Sequence, residues 1–168
     1  GRVITQSLEG RRAFILENTR LQPPPHTPEL TLHLADEVTP IWRLTEEALA
    51  EIGLPPPFWA FAWAGGQALA RYILDHPQEV AGKRVIDFAS GSGIVGIAAI
   101  KAGAGHVLAT DIDPFCGAAL SLNAEVNGAR IDFTDQDLLD APPPEADVIL
   151  AGDICYEQPL AAKVMDWL

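Results

Sequence analysis

The chain has 168 residues, 48% apolar and 20% charged, with 11 Lys+Arg against 23 Asp+Glu and a net charge of −12. That length suits one domain around one core, and no apolar run approaches the ~18–20 residues that a membrane-spanning helix needs. The acidic balance argues against general nucleic-acid binding, which rests on Lys and Arg neutralising phosphates, and suits a basic partner or a cationic ligand.

In chain order, the pattern predicts a helix from about Ile4 to Asn18 with Leu8, Phe14 and Ile15 facing inward. Leu30 to Leu34 alternates as a half-buried strand would. Thr39-Pro40 offers an N-cap and a first-turn proline to a helix whose stripe is Ile41, Leu44, Ala48 and Ile52, closed by Gly53. Proline triplets at Pro23–Pro25, Pro55–Pro57 and Pro142–Pro144 read as short connectors that stop helices. Residues 1–60 are thus expected to be an extension packed on a core that occupies 61–168.

From residue 65 helix and strand alternate regularly. Leu69, Tyr72 and Ile73 mark a helix that stops before Pro77, and Val85–Phe88 is a short apolar strand. A glycine loop leads into the helix Ile94–Lys101, closed by Gly103, and His106–Thr110 is the second strand. Asp113-Pro114 opens a helix that ends at Asn127-Gly128. Ile131–Thr134 and Ala146–Gly152 are the third and fourth strands, and a last helix starts near Pro159. Strands without polar alternation, joined by helices, predict an α/β fold: a doubly wound, mostly parallel sheet covered on both faces. Val148–Leu150 would then stand at an open edge, so further strands are expected after Leu168.

Cys116 and Cys155 form no CxxC and lie in apolar surroundings. They read as reduced packing residues, and with no leader pattern in view the expected setting is cytoplasmic. His26, His33, His76 and His106 show no metal spacing and read as surface or capping residues.

Gly91-Ser92-Gly93-Ile94-Val95-Gly96 matches G-x-G-x-x-G, with Asp111 about twenty residues on, as in a dinucleotide site. Asp87, inside the preceding strand, opposes that reading, because a carboxylate aimed into the crevice would repel a diphosphate. An acid followed by small residues instead suits a ligand with a cationic amino-acid end. Asp111 can accept both hydroxyls of a ribose, Asp137 can accept an adenine amino group, and Asp153 follows the fourth strand. Four strands deliver acids to one rim and none delivers Lys or Arg, which favours S-adenosylmethionine over a phosphate ligand. Each residue also has a plain reading: a tight turn for Gly91 and Gly93, a solvated loop for Asp137, a helix cap for Asp113, core packing for Trp59.

The fourth strand ends in Asp153-Ile154-Cys155-Tyr156. Methyl transfer from a sulfonium demands alignment and a neutral nucleophile, so a lysine, with an unperturbed pKa near ~10.4, must first lose a proton. Asp153 could anchor the arriving ammonium and Tyr156 could orient the amine against an aromatic wall. The Asn/Asp-Pro-Pro-Tyr/Phe run common in enzymes that methylate nucleobases or glutamine is absent.

These residues resemble the seven-strand, class I S-adenosylmethionine methyltransferases, and within them the protein-lysine methyltransferases acting on electron transfer flavoprotein β subunit, with their bacterial relatives. The resemblance rests on Pro57–Tyr72 with its Trp63-Ala64-Gly65-Gly66-Gln67, on Asp87–Gly93, on Ala109–Asp113 and on Ala151–Tyr156. It implies that Trp63 packs near the cofactor, that Gly91, Ser92 and Gly93 lie against its methionine moiety, and that Asp111 holds the ribose beside Ile112. Asp137 would sit near adenine, Gly152 would line the pocket, and Asp153 and Tyr156 would face the substrate lysine. Ala89 departs from the family, standing where many members have glycine. The implied partner is a protein, with no nucleic acid and no membrane. The alternatives left open are another protein or small-amine methyltransferase on the same fold, a nicotinamide-dependent oxidoreductase, and a non-catalytic binding module.

Overall fold

The computed structural model describes residues 7–36, 38–43, 46–51, 57–88, 90–111, 113–134 and 146–151. Four strands form a parallel sheet: β3 (Arg84–Phe88), β4 (His106–Thr110), β5 (Asp132–Thr134) and β6 (Val148–Leu150), in the order β5-β4-β3-β6. β3 has a parallel neighbour on each side and every position after Arg84 is buried, which is why its sequence shows no polar alternation. β3 neighbours β4 on one side and β6 on the other, so the chain changes direction across the sheet there. The crevice outside such a switch point is where open α/β sheets bind ligands.

Polar contacts at the strand starts support the register. The Asp147 amide donates to the Arg84 carbonyl and the Arg84 amide to the Asp147 carboxylate, each at 2.9 Å, their side chains meet at 3.3 Å, and His106 Nε2 contacts Asp132 at 2.7 Å. β6 pairs only with β3 among the described residues, and its Val148 and Ile149 are half-buried.

One face of the sheet carries α3 (Ala64–Asp75) and α4 (Ile94–Lys101), whose Ala70, Ile73, Ile94, Ile97 and Ala98 pack with Val85 and Val107. α5 (Pro114–Val126) lies on this same face beside α4, its Gly117 close against Phe133, and α1 (Leu8–Asn18) packs on it, with Phe14, Ile15, Phe115, Ala119 and Leu122 in a second cluster. α5 starts as its sequence predicts: the Asp113 carboxylate accepts the Phe115 amide at 2.9 Å, Pro114 opens the first turn, and Gly128 follows the end at φ 63°.

The N-terminal segment departs from its reading in several places. α1 is capped by Ser7, and Leu8 points outward, 53% exposed. β1 (Arg20–Gln22), too short and polar to be foreseen, pairs antiparallel with β2 (Leu32–Leu34). β2 is buried throughout, because it lies along α5, so the alternation in its sequence does not mark a wet face. Thr39 hydrogen-bonds back to Asp36 instead of capping forward; a 3-10 turn covers Pro40–Arg43 and α2 spans Glu46–Glu51. Leu44 and Ile52 of the expected stripe, and the helix expected from Pro159, lie outside the described residues. His33 is buried and not a surface residue. None of the helices among the described residues is long and apolar enough to cross a membrane.

Candidate functional site

Strand register assembles the site. Phe88, Thr110 and Thr134 stand side by side at the carboxyl ends of β3, β4 and β5, with Leu150 beside Asp87. The loop after β3 folds back on β4: the Ser90 amide donates to the Thr110 carbonyl at 2.9 Å and the Gly93 amide to the Ser90 carbonyl at 2.8 Å. Gly91 and Gly93 have φ of 55° and 86°, the left-handed region that glycine enters without Cβ strain. A Cβ at Gly93 would also collide with Leu120 Cδ1 on α5. Glycine is therefore demanded here by turn geometry and by packing together.

Asp111 locks the loop from β4. Its Oδ2 accepts the Gly91 amide and its Oδ1 accepts the Asp113 amide, each at 3.1 Å. A carboxylate offers about four lone-pair sites, so Asp111 keeps capacity for a ligand's hydroxyls. Asp87 is 1% exposed, and its Oδ2 accepts the Gly96 amide in the first turn of α4 at 3.0 Å. That oxygen is taken up by the start of the helix. Asp87 thus fixes the loop and the helix start from beneath.

Two residues that sequence reasoning did not single out belong to this assembly. The Ser90 hydroxyl is buried in the loop without a hydrogen-bond partner among the described residues, a costly state for a polar group. The Asn123 side chain of α5, fully buried, donates from Nδ2 to the Ser92 carbonyl at 2.7 Å. Asparagine within a helix reads as a solvated residue in sequence, and only the fold reveals its partner.

Trp63 stands at the entrance to α3, half-buried, with its ring against Phe61 at 5.5 Å. Trp59 lies in the core at 2% exposure, stacked on Phe115. Burial, then the charges of Asp111 and Asp113, push the Cys116 thiol well above its ordinary range, so it packs and is not a nucleophile. Burial likewise raises the Asp113 carboxyl, with Asp111 adding to the effect. Ile112, Asp137, Gly152, Asp153, Cys155 and Tyr156 lie outside the described residues. Among the described residues no three His, Cys, Asp or Glu side chains could hold a metal together.

The described donor set is chemically specific. Asp111 and the orphaned Ser90 hydroxyl can meet hydroxyl and ammonium groups, glycine lets a ligand approach the backbone closely, and neither β3 nor β4 supplies a Lys or Arg after its last residue. This fits an adenosyl amino acid with positive charge.

Comparison with known proteins agrees with the geometry. The family model for ribosomal protein L11 methyltransferase (PrmA) matches residues 67–156, more than half of the chain. The electron transfer flavoprotein beta subunit lysine methyltransferase of Xenopus laevis is 42% identical over 94% of this chain and 63% of its own length. The homolog from Caenorhabditis elegans is 32% identical over 99% of this chain and 73% of its own. The crystal structure of Arabidopsis thaliana protein arginine methyltransferase 10 shares the fold, with a TM-score of 0.50 at 24% identity, covering 60% of this chain and 30% of that one. This chain spans about three fifths of the length of the vertebrate relatives it matches. The chain belongs to the ribosomal protein L11 methyltransferase (PrmA) family, with the electron transfer flavoprotein beta subunit lysine methyltransferases among its relatives.

Proposed function

We propose that this protein is an S-adenosylmethionine-dependent protein-lysine N-methyltransferase whose substrate is electron transfer flavoprotein β subunit. The observation that carries the reading is the Gly91–Asp111 lock at 3.1 Å, which joins a glycine turn after one strand to a carboxylate after the next. When bound, S-adenosylmethionine supplies an electrophilic methyl group on a sulfonium. The chain's own part is positioning: Asp111 accepts the ribose hydroxyls, Gly91–Gly93 admit the methionine moiety, the Ser90 hydroxyl, unpartnered among the described residues, bonds the ligand, and Trp63 covers the site. Ile112, Asp137 and Gly152 complete the cofactor contacts in this reading. Asp153 anchors the arriving lysine and Tyr156 orients its neutral amine, whose proton leaves to solvent before the nitrogen attacks. The substrate assignment follows the relatives' names, and the setting proposed is the cytoplasm of a bacterium.

Two measurements test this. Calorimetry should detect S-adenosylhomocysteine binding, and electron transfer flavoprotein β subunit should gain methyl groups on lysine when incubated with the enzyme and cofactor. Asp153→Ala should keep the affinity and lose turnover; methylation at the parental rate would remove Asp153 from its role. The family model's description favours ribosomal protein L11 as the second substrate to try.

A further inference from the structure

Asn123 does more than hold one carbonyl. Its Oδ1 accepts the His33 amide of β2 at 2.7 Å while its Nδ2 donates to Ser92 at 2.7 Å. One fully buried amide therefore joins the N-terminal segment to the glycine loop, two stretches remote from each other in sequence. One turn further along α5, Asn127 repeats the clamp on Thr31, accepting its amide at 3.0 Å and donating to its carbonyl at 2.6 Å. Beyond His33, the Ala35 amide reaches the Ala60 carbonyl at 2.8 Å, just before the aromatic pair Phe61 and Trp63.

The Ser92–Gly93 peptide is thus held at both ends: its carbonyl by Asn123, and its amide by the Ser90 carbonyl. Both ends of the Asn123 side chain face backbone groups that have lost their water. Releasing either partner leaves a buried polar group unpaired.

We propose that Asn123 is a positioning residue that couples docking of β2 to cofactor occupancy of the Gly91–Gly93 loop. The proposal rests on the cofactor reading above. Each event stabilises the other, as linkage requires: a ligand that fixes Ser92 fixes Asn123, and Asn123 fixes His33.

The test is hydrogen exchange on the whole chain with and without saturating S-adenosylhomocysteine, beside calorimetry. In the parent, cofactor should slow exchange at residues 90–96 and also at 31–35. Asn123→Leu, which keeps the branched outline of the side chain but removes both bonds, should weaken cofactor affinity about tenfold or more. At saturation it should keep the protection at 90–96 and lose the gain at 31–35, a separation that a general loss of stability would not produce. If Asn123→Leu fails to fold, the parent's exchange at 31–35 decides alone. A parent that binds S-adenosylhomocysteine with no change at 31–35, or an Asn123→Leu variant with parental affinity, overturns the coupling and leaves the cofactor reading intact. A parent that binds no S-adenosylhomocysteine overturns the cofactor reading itself, and the coupling falls with it.

Discussion

The Asp111 carboxylate holds the Gly91 amide at 3.1 Å, across a sheet neighbour and twenty residues of sequence. The same group receives the Asp113 amide, so one side chain sets both the glycine turn and the entry to α5. Hydrogen bonds to an ionised group are worth ~1.5–3 kcal/mol each. Asp111→Ala should therefore weaken S-adenosylhomocysteine binding by at least about tenfold, through loss of the ribose acceptor and relaxation of the turn. Asp111→Asn keeps an acceptor oxygen and should fall between the two. Calorimetry reads both, and undiminished affinity in the alanine variant would remove Asp111 from the site.

Gly93 and Leu120 make a second test, because two costs there can be separated. A left-handed residue with a Cβ costs roughly 1–2 kcal/mol, and the Cβ would also strike Leu120 Cδ1. Gly93→Ala should lower Tm by several degrees, at ~2–4 °C per kcal/mol for a domain of this size. Leu120→Ala opens the space but not the backbone region. In the double variant the penalty of the alanine at Gly93 should shrink without vanishing. Full additivity in a double-mutant cycle would mean that the two positions do not press on each other.

The parts of this fold that were legible in the sequence are those governed by period and punctuation. β3, β4, α4 and α5 show as apolar runs and stripes closed by Gly103 and Asn127-Gly128, because a buried parallel sheet allows few other patterns. The segment from Leu30 to Ala35 misleads for a physical reason. His33 looks like the wet position of an alternating strand, yet α5 covers it, and burial with the nearby Arg12 charge lowers its pKa. The glycine loop and Asp111 could be picked out by their spacing, but the direction of Asp87 could not, since its partner is a backbone amide nine residues on. Asn123 and Asn127 were invisible for the same reason: a side chain that satisfies someone else's backbone leaves no pattern of its own.

Trp59 joins the N-terminal segment to the sheet-covering helix. Its ring stacks on Phe115 at 5.8 Å and 14°, and Phe14 of α1 meets both rings edge-on, at 6.4 and 5.7 Å. Truncating a buried aromatic of this kind costs ~3–5 kcal/mol. Trp59→Ala should lose that much in urea unfolding and should expose α1 to proteolysis before the rest of the chain. Trp59→Phe keeps the stack and should recover more than half of the loss. An alanine variant of parental stability would show that α1 is held by its polar contacts, Arg12 to Ser121 and Glu125, and not by this cluster.

Asp113 gives a pH test with a definite sign. Its carboxylate caps α5, which favours the ionised form, but burial dominates and the neighbouring Asp111 charge adds to it, so the folded-state pKa is raised above the ordinary 3.8. A group whose folded pKa is raised binds its proton more tightly in the native state. It contributes stability below the unfolded value and loses that contribution as pH rises through the folded one. At pH 7 the ionised Asp113 is therefore a net burden on the fold, even though it makes a good cap. Asn caps as well as Asp and carries no charge. Asp113→Asn should raise Tm at pH 7, and its advantage over the parent should shrink as pH falls and disappear by about pH 3. Thermal melts of both proteins across that range measure the difference directly. A variant less stable than the parent at pH 7 would mean that the helix N-terminus favours the charge by more than burial opposes it.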